Sequence, residues 1–202
     1  MASDELDIAR LLRKEIETRL TTQHWSEDSK VKFAPRYLAE EIIRPNISAL
    51  CRSLFQSSVA DERSEEFKAG ESKWRILAIL LDIKCSKVFL HRLLENDLPL
   101  DDSKLPLELI LAQSFLGKDI GREFYFKQYI FSPAILKEGE ELKYVGEERT
   151  FRLPFLAVKS IGHGGHGTVY KVKVARGHYF PKDIGKWGPN PIVSWQPVAC
   201  LL

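Results

Sequence analysis

Leu6, Ala9, Leu12, Ile16 and Leu20 recur at spacings of three and four, which lines one face of a helix at the start of the chain. Ser3 suits the N-cap of that helix, and Asp4 and Glu5 favour the positive end of its dipole. A second helix is expected from Pro35, a residue tolerated in a first turn, with a break at Pro45. Ile47, Leu50, Cys51, Leu54 and Phe55 then follow the i, i+3, i+4, i+7, i+8 pattern of an amphipathic helix. Residues 57–70 are polar and read as a loop. Residues 71–84 are apolar nearly all round, through Trp74, Ile76, Leu77, Ala78, Ile79, Leu80, Leu81 and Ile83, as befits a central helix. Residues 87–95 predict a further helix with Val88, Phe89 and Leu93 inward. Asn96-Asp97-Leu98-Pro99 and Asp101-Asp102-Ser103 are turn chemistry, and residues 105–115 predict a short helix ended by Gly117.

Beyond residue 150 the period changes from helical to alternating, and the composition changes with it. Residues 1–150 hold 23 basic and 27 acidic residues, a net of −4; residues 151–202 hold 7 basic residues and one acid, a net of +6. Five glycines precede residue 151 and seven follow it. The expected organisation is therefore a helical region over residues 1–117, a connecting segment over 118–150 and a glycine-rich sheet region over 151–202. The fold class expected is α+β.

At 202 residues, 44% hydrophobic and 29% charged, the chain has a globular composition and is too short for a barrel enzyme of about 250 residues. Cys51, Cys85 and Cys200 are far apart and form no CxxC, so neither a disulfide framework nor a zinc ribbon is indicated. The acidic N-terminus is unlike a signal peptide, and the densest apolar run, residues 76–81, is far short of the roughly 20 residues a membrane span needs. An intracellular protein, cytoplasmic or nuclear and without membrane association, is expected. The basic tail permits contact with nucleic acid, but no recognition helix or aromatic-basic platform accompanies it.

Little chemistry is visible in the first 150 residues. The adjacent acids Asp101/Asp102, Glu140/Glu141 and Glu147/Glu148 read as solvated turns, because neighbours on a chain point apart. His24 and His91 have no clustered ligands. His91-Arg92 is followed by leucine where a kinase catalytic loop needs aspartate, and it precedes the glycine segment, which is the wrong order.

The segment Ile161-Gly-His-Gly-Gly-His-Gly-Thr-Val-Tyr-Lys-Val172 carries G-x-G-x-x-G at Gly162, Gly164 and Gly167. A dinucleotide fingerprint would open a helix here, but the following Thr168-Val-Tyr-Lys-Val-Lys-Val174 is β-branched and alternating. A Walker loop requires lysine where Thr168 stands. What remains is a strand at residues 157–161, a glycine turn at 162–167 and a returning strand at 168–174. Glycine serves such a turn by accepting positive φ and by letting backbone N–H groups approach phosphate oxygens. A metal site built from His163, His166, His178 and Cys200 lacks any fixed ligand spacing.

This segment resembles the ATP-covering loop of eukaryotic protein kinases, G-x-G-x-x-G-x-V. Val169, the Val-Tyr-Lys-Val run and Ile161 before the first glycine all match, while His166 stands where an aromatic is common. Upstream, Gln128-Tyr-Ile-Phe131, Pro133 and Leu153-Pro-Phe155 resemble the approach to the kinase domain in a group of fungal protein kinases, as do residues 74–81 and Asp97-Leu-Pro-Leu100. The resemblance implies a transferase using ATP and Mg²⁺ on Ser/Thr-type protein substrates. It implies nucleotide binding by Ile161, Gly162, His163, Gly164, Gly165, His166, Gly167 and Val169.

Val198-Ala199-Cys200-Leu201 fits the third kinase strand, V-A-x-K, after an insertion, except that leucine stands at the lysine position and the chain stops one residue later. The expectation is a family member cut short inside the small lobe, binding ATP weakly and inactive alone, with no catalytic residue of its own. The alternative is a non-catalytic helical interaction module that binds a protein partner and carries a kinase remnant.

Overall fold

The computed structural model describes residues 7–22, 31–70, 72–140, 152–164, 167–182 and 195–200. They form an α+β chain, mainly helical with small sheets, that divides into two compact units. One unit comprises Met1–Arg19 and Tyr37–Phe131; the other comprises Leu20–Arg36 and Ser132–Leu202. Among the described residues, no helix is long and apolar enough to cross a membrane.

In the helical unit, α1 (Asp7–Arg19) buries Leu12 and Ile16, as its periodicity requires. Ser3, Asp4, Glu5 and Leu6 lie outside the described residues. Helix α2 (Leu38–Ile43) begins three residues after Pro35, because Arg36 and Tyr37 form a turn first. Pro45 sits in a 3₁₀ turn, Arg44–Asn46, that separates α2 from α3 (Ile47–Leu54). The stretch read as a loop is instead a helix, α4 (Ser57–Ala69). Its inward face is Ala60, Ser64 and Phe67, spaced by four and three. Two small residues, one of them polar, hide that period. Ser64 fits because its hydroxyl donates to the Asp61 carbonyl at 2.9 Å and meets the Ser48 hydroxyl at 3.2 Å.

The apolar helix α5 (Trp74–Asp82) is central, with every residue except Arg75 buried. Helix α6 (Lys87–Leu94) buries Leu90, Leu93 and Leu94. Val88, expected inward, is 63% exposed, because that three-leucine face turns it to solvent. Both helices end alike. Lys84 N–H donates to Leu81 and Cys85 N–H to Leu80, as Asn96 N–H does to Leu93 and Asp97 N–H to Arg92. This is the Schellman pattern, and Lys84 (φ 56°) and Asn96 (φ 61°) occupy its left-handed position.

Helix α7 (Leu109–Leu116) starts later than residue 105, since a residue before proline avoids the helical region and Pro106 follows Leu105. Gly117 ends α7 at φ 81°. A new helix, α8 (Lys118–Phe131), begins at the next residue, in the part of 118–150 read as a connection. Its buried stripe is Gly121, Phe124, Gln128 and Phe131, and the glutamine disguises it. The Gln128 amide accepts from Leu107 N–H at 2.6 Å and donates to Leu107 C=O at 2.8 Å, so a polar side chain is fully satisfied in the core.

In the second unit, β1 (Thr21–Thr22) pairs antiparallel with β2 (Lys32–Phe33). Strand β3 (Leu136–Lys137) runs parallel to β6 (Tyr179–Phe180). The main sheet has three antiparallel strands in the order β4 (Phe155–Gly164), β5 (Gly167–Val174), β7 (Trp195–Cys200). Phe155, Val172 and Val174 form its core, with Leu136, Leu153, Val158, Tyr170 and Tyr179 packed around them. Residues 20–36 join this unit through particular contacts. Phe33 meets His178 edge-on at 6.2 Å, and the Arg36 guanidinium lies 5.2 Å from the Phe180 ring centre and donates to the Gly177 carbonyl at 3.3 Å.

Candidate functional site

The glycine segment forms the tip of the β4–β5 hairpin. Pairing runs Val158↔Val172, Lys159↔Lys171, Ser160↔Tyr170, Gly162↔Val169, His163↔Thr168 and Gly164↔Gly167. A register shift between Ser160 and Gly162 leaves Ile161 without an opposite number, a bulge that turns the strand just before the first glycine. Gly165 and His166, between the last paired residues, lie outside the described residues.

Alternation sorts the two faces. Val158, Val172 and Val174 face the core, and Tyr170 packs against it. Lys159, Lys171, Lys173, Val169 and Gly162 share the opposite face. Val169 is 36% exposed and Ile161 54% exposed, so an apolar surface stands open beside the glycine turn. His163 Nδ1 lies 2.7 Å from Thr168 Oγ1, and this hydrogen bond ties the two strands at the tip.

Gly162 differs from the expectation in one respect. Its φ is not in the left-handed region, and among the described residues a Cβ added there meets nothing within 4 Å. The chain's own conformation therefore does not demand glycine at 162.

Strand β7 completes the sheet, with Thr168↔Cys200, Val169↔Ala199 and Tyr170↔Val198 in register. The Val198-Ala199-Cys200 run thus lies abreast of Val169 as a third antiparallel strand. Leu201 lies outside the described residues.

The other candidates resolve into structural roles. His91 Nδ1 is 2.8 Å from Glu95, one helical turn on, and its ring lies against Phe55 at 4.2 Å. Asp101 and Asp102 are buried, not solvated, which corrects the turn reading. Asp101 accepts from Ser103 N–H at 2.8 Å and from the Ser103 hydroxyl, and sits 3.0 Å from Lys104. Those bonds hold its carboxyl down to about 2. Asp102 caps α5 from a distance: its carboxylate accepts from Arg75 N–H and Ile76 N–H at 3.1 Å and from the Ser72 hydroxyl at 2.8 Å. Burial pushes the Asp102 carboxyl above its ordinary value against the pull of those donors. No local signal shows this cap, because cap and helix are 27 residues apart.

His178 is buried, with Nδ1 3.2 Å from the Ala134 carbonyl. Among the described residues, no three His, Cys, Asp or Glu side chains come together as a metal site. Burial pushes the Cys51 and Cys85 thiols up to about 11, so both are protonated at neutral pH. His24, Glu141, Glu147 and Glu148 lie outside the described residues.

No protein-family model matches this chain, and no curated protein and no solved structure matches it.

Proposed function

We propose that the β4–β5–β7 sheet is a nucleotide-binding element of the protein-kinase type, covering Mg²⁺-ATP with its glycine turn. The observation that carries this is the register at the turn: Gly162 is open and sits opposite Val169, with Ala199 on the far side of Val169. The G-x-G-x-x-G-x-V hairpin and the V-A strand lie side by side, and this adjacency supports the reading.

Ile161 and Val169 supply apolar surface for one face of a purine ring. Glycine at positions 162, 164, 165 and 167 lets backbone N–H groups reach phosphate oxygens. Lys159, Lys171 and Lys173 share the Val169 face and make it attractive to a polyphosphate. Residues 155–174 contain no carboxylate, so Mg²⁺ would arrive on the phosphates rather than on a protein ligand. A single apolar face and a turn give weak binding, with Kd on the order of 1 mM.

Phosphoryl transfer asks for more. The 202 residues contain neither H-R-D-x-x-x-x-N nor D-F-G, and leucine stands at the position of the third-strand lysine. This chain binds nucleotide and does not transfer the γ-phosphoryl group. The test is a titration of the full chain with Mg²⁺-ATP, followed through backbone amide resonances. Saturable shifts at Gly162, Gly164 and Val169, larger with ATP than with adenosine, support the proposal. Unchanged hairpin resonances contradict it, and label transferred from γ-³²P-ATP to protein contradicts the inactivity.

A second reading, a helical interaction module, is favoured by α7. Leu109, Ile110 and Leu111 are exposed there, Ile110 by 79%. It requires a protein partner whose binding is lost in Ile110→Lys while the nucleotide titration is unchanged.

A further inference from the structure

The helical unit contains a pocket of about 220 Å³, partly open to solvent, lined from α1, α3, α5 and α6. Its floor is leucine, from Leu50, Leu54, Leu81 and Leu90. Among the described residues, the charge on its lining is positive: Arg10, Arg13 and Lys87 contribute to the wall, and no carboxylate does. The net charge of residues 1–150 is negative, so a wall of three cations runs against the trend of its own region.

Arg13 is held in place rather than waving in solvent. Its Nε donates to the Leu81 carbonyl at 2.7 Å, which fixes the guanidinium at the wall and engages one of its five N–H donors. Cations above a leucine floor are complementary to an anion carrying an apolar tail. A water molecule's share of liquid volume is about 30 Å³, so the cavity has room for about seven such volumes. That suits a carboxylate with a short aliphatic chain.

We infer that this cavity binds a short-chain aliphatic monocarboxylate, the carboxylate meeting Arg10 and Arg13 and the alkyl chain lying on the leucines. Ala9 and Cys85 line the same space. Filling it covers the Cys85 thiol, and this gives a direct readout. Cys51 is completely buried, so it reports on unfolding.

The experiment uses hexanoate as the probe and the full chain at pH 9, where the high thiol pKa still permits slow alkylation. Iodoacetamide labelling is located by peptide mass. Hexanoate is expected to slow labelling of Cys85 at least fivefold in a saturable manner, while hexylamine and hexan-1-ol leave it unchanged. Arg10→Glu, on an exposed face of α1, is expected to weaken that protection about tenfold. Ala9→Phe, which fills the cavity, is expected to slow Cys85 labelling without any ligand. No protection by hexanoate, or equal protection by hexylamine, overturns the inference. Concurrent labelling of Cys51 in a variant identifies loss of fold, and the milder Arg10→Gln then replaces it as the charge test with the same expected direction.

Discussion

Alanine in place of glycine has opposite consequences at positions 121 and 162. At Gly121 an added Cβ lies 2.5 Å from Gln113 Cα, 2.6 Å from Gln113 N and 2.7 Å from Ala112 C. All three are backbone atoms of α7, so no side-chain rotation relieves the overlap. Restoring an ordinary carbon contact requires α8 to move from α7 by about 1 Å, and overpacking of this kind costs about 1–3 kcal/mol. Alanine's higher helix propensity returns about 1 kcal/mol. With contacts this short the upper end of the cost applies, and Gly121→Ala is expected to lose about 2 kcal/mol. At Gly162 the Cβ meets nothing within 4 Å among the described residues, and φ lies outside the left-handed region. Gly162→Ala is therefore expected to be neutral or to gain about 0.5 kcal/mol by restricting the unfolded chain. Urea unfolding followed by far-UV circular dichroism for the helices, and by hairpin amide resonances for the sheet, measures both. Equal destabilisation by the two substitutions, or a neutral Gly121→Ala, refutes the reasoning.

Other outcomes follow from single contacts. Gln128→Leu strands the Leu107 N–H and C=O in the core and is expected to cost about 3 kcal/mol in urea unfolding. Lys84→Gly relieves a left-handed lysine (φ 56°) at an exposed helix end and is expected to stabilise by about 0.5–1 kcal/mol, read as a higher urea midpoint. Asp101 has a folded-state pKa depressed to about 2, so its contribution is present above the unfolded value near 4 and is lost as pH falls toward 2. Asp101→Asn should accordingly flatten the stability-pH profile between about pH 4 and 2.

Most of the architecture was legible where one residue type dominated a face. Leu12 and Ile16 on α1, the all-round apolar α5 and the alternation of Thr168-Val-Tyr-Lys-Val are signals of that kind. Helices α4 and α8 show no plain apolar period because their buried faces are built partly from Ser64, Gly121 and Gln128, whose polarity or smallness only their partners explain. The docking of residues 20–36 with the second unit depends on Phe33 and Arg36 meeting residues more than 140 positions away, which no local period encodes. Asp102 reads as a turn residue until α5 is seen to use it as a cap. At the candidate site, the hairpin and the strand at 198–200 could be read from sequence. The open space at Gly162 and the exposure of Ile161 and Val169 required the three-dimensional arrangement.

Photolabelling with Mg²⁺-8-azido-ATP, followed by peptide mapping, tests the central claim most directly. The nucleotide-binding account predicts label within residues 155–174, competed away by ATP and reduced in Val169→Asp. Label spread over the helical unit, or label in the hairpin that ATP does not compete, would contradict it.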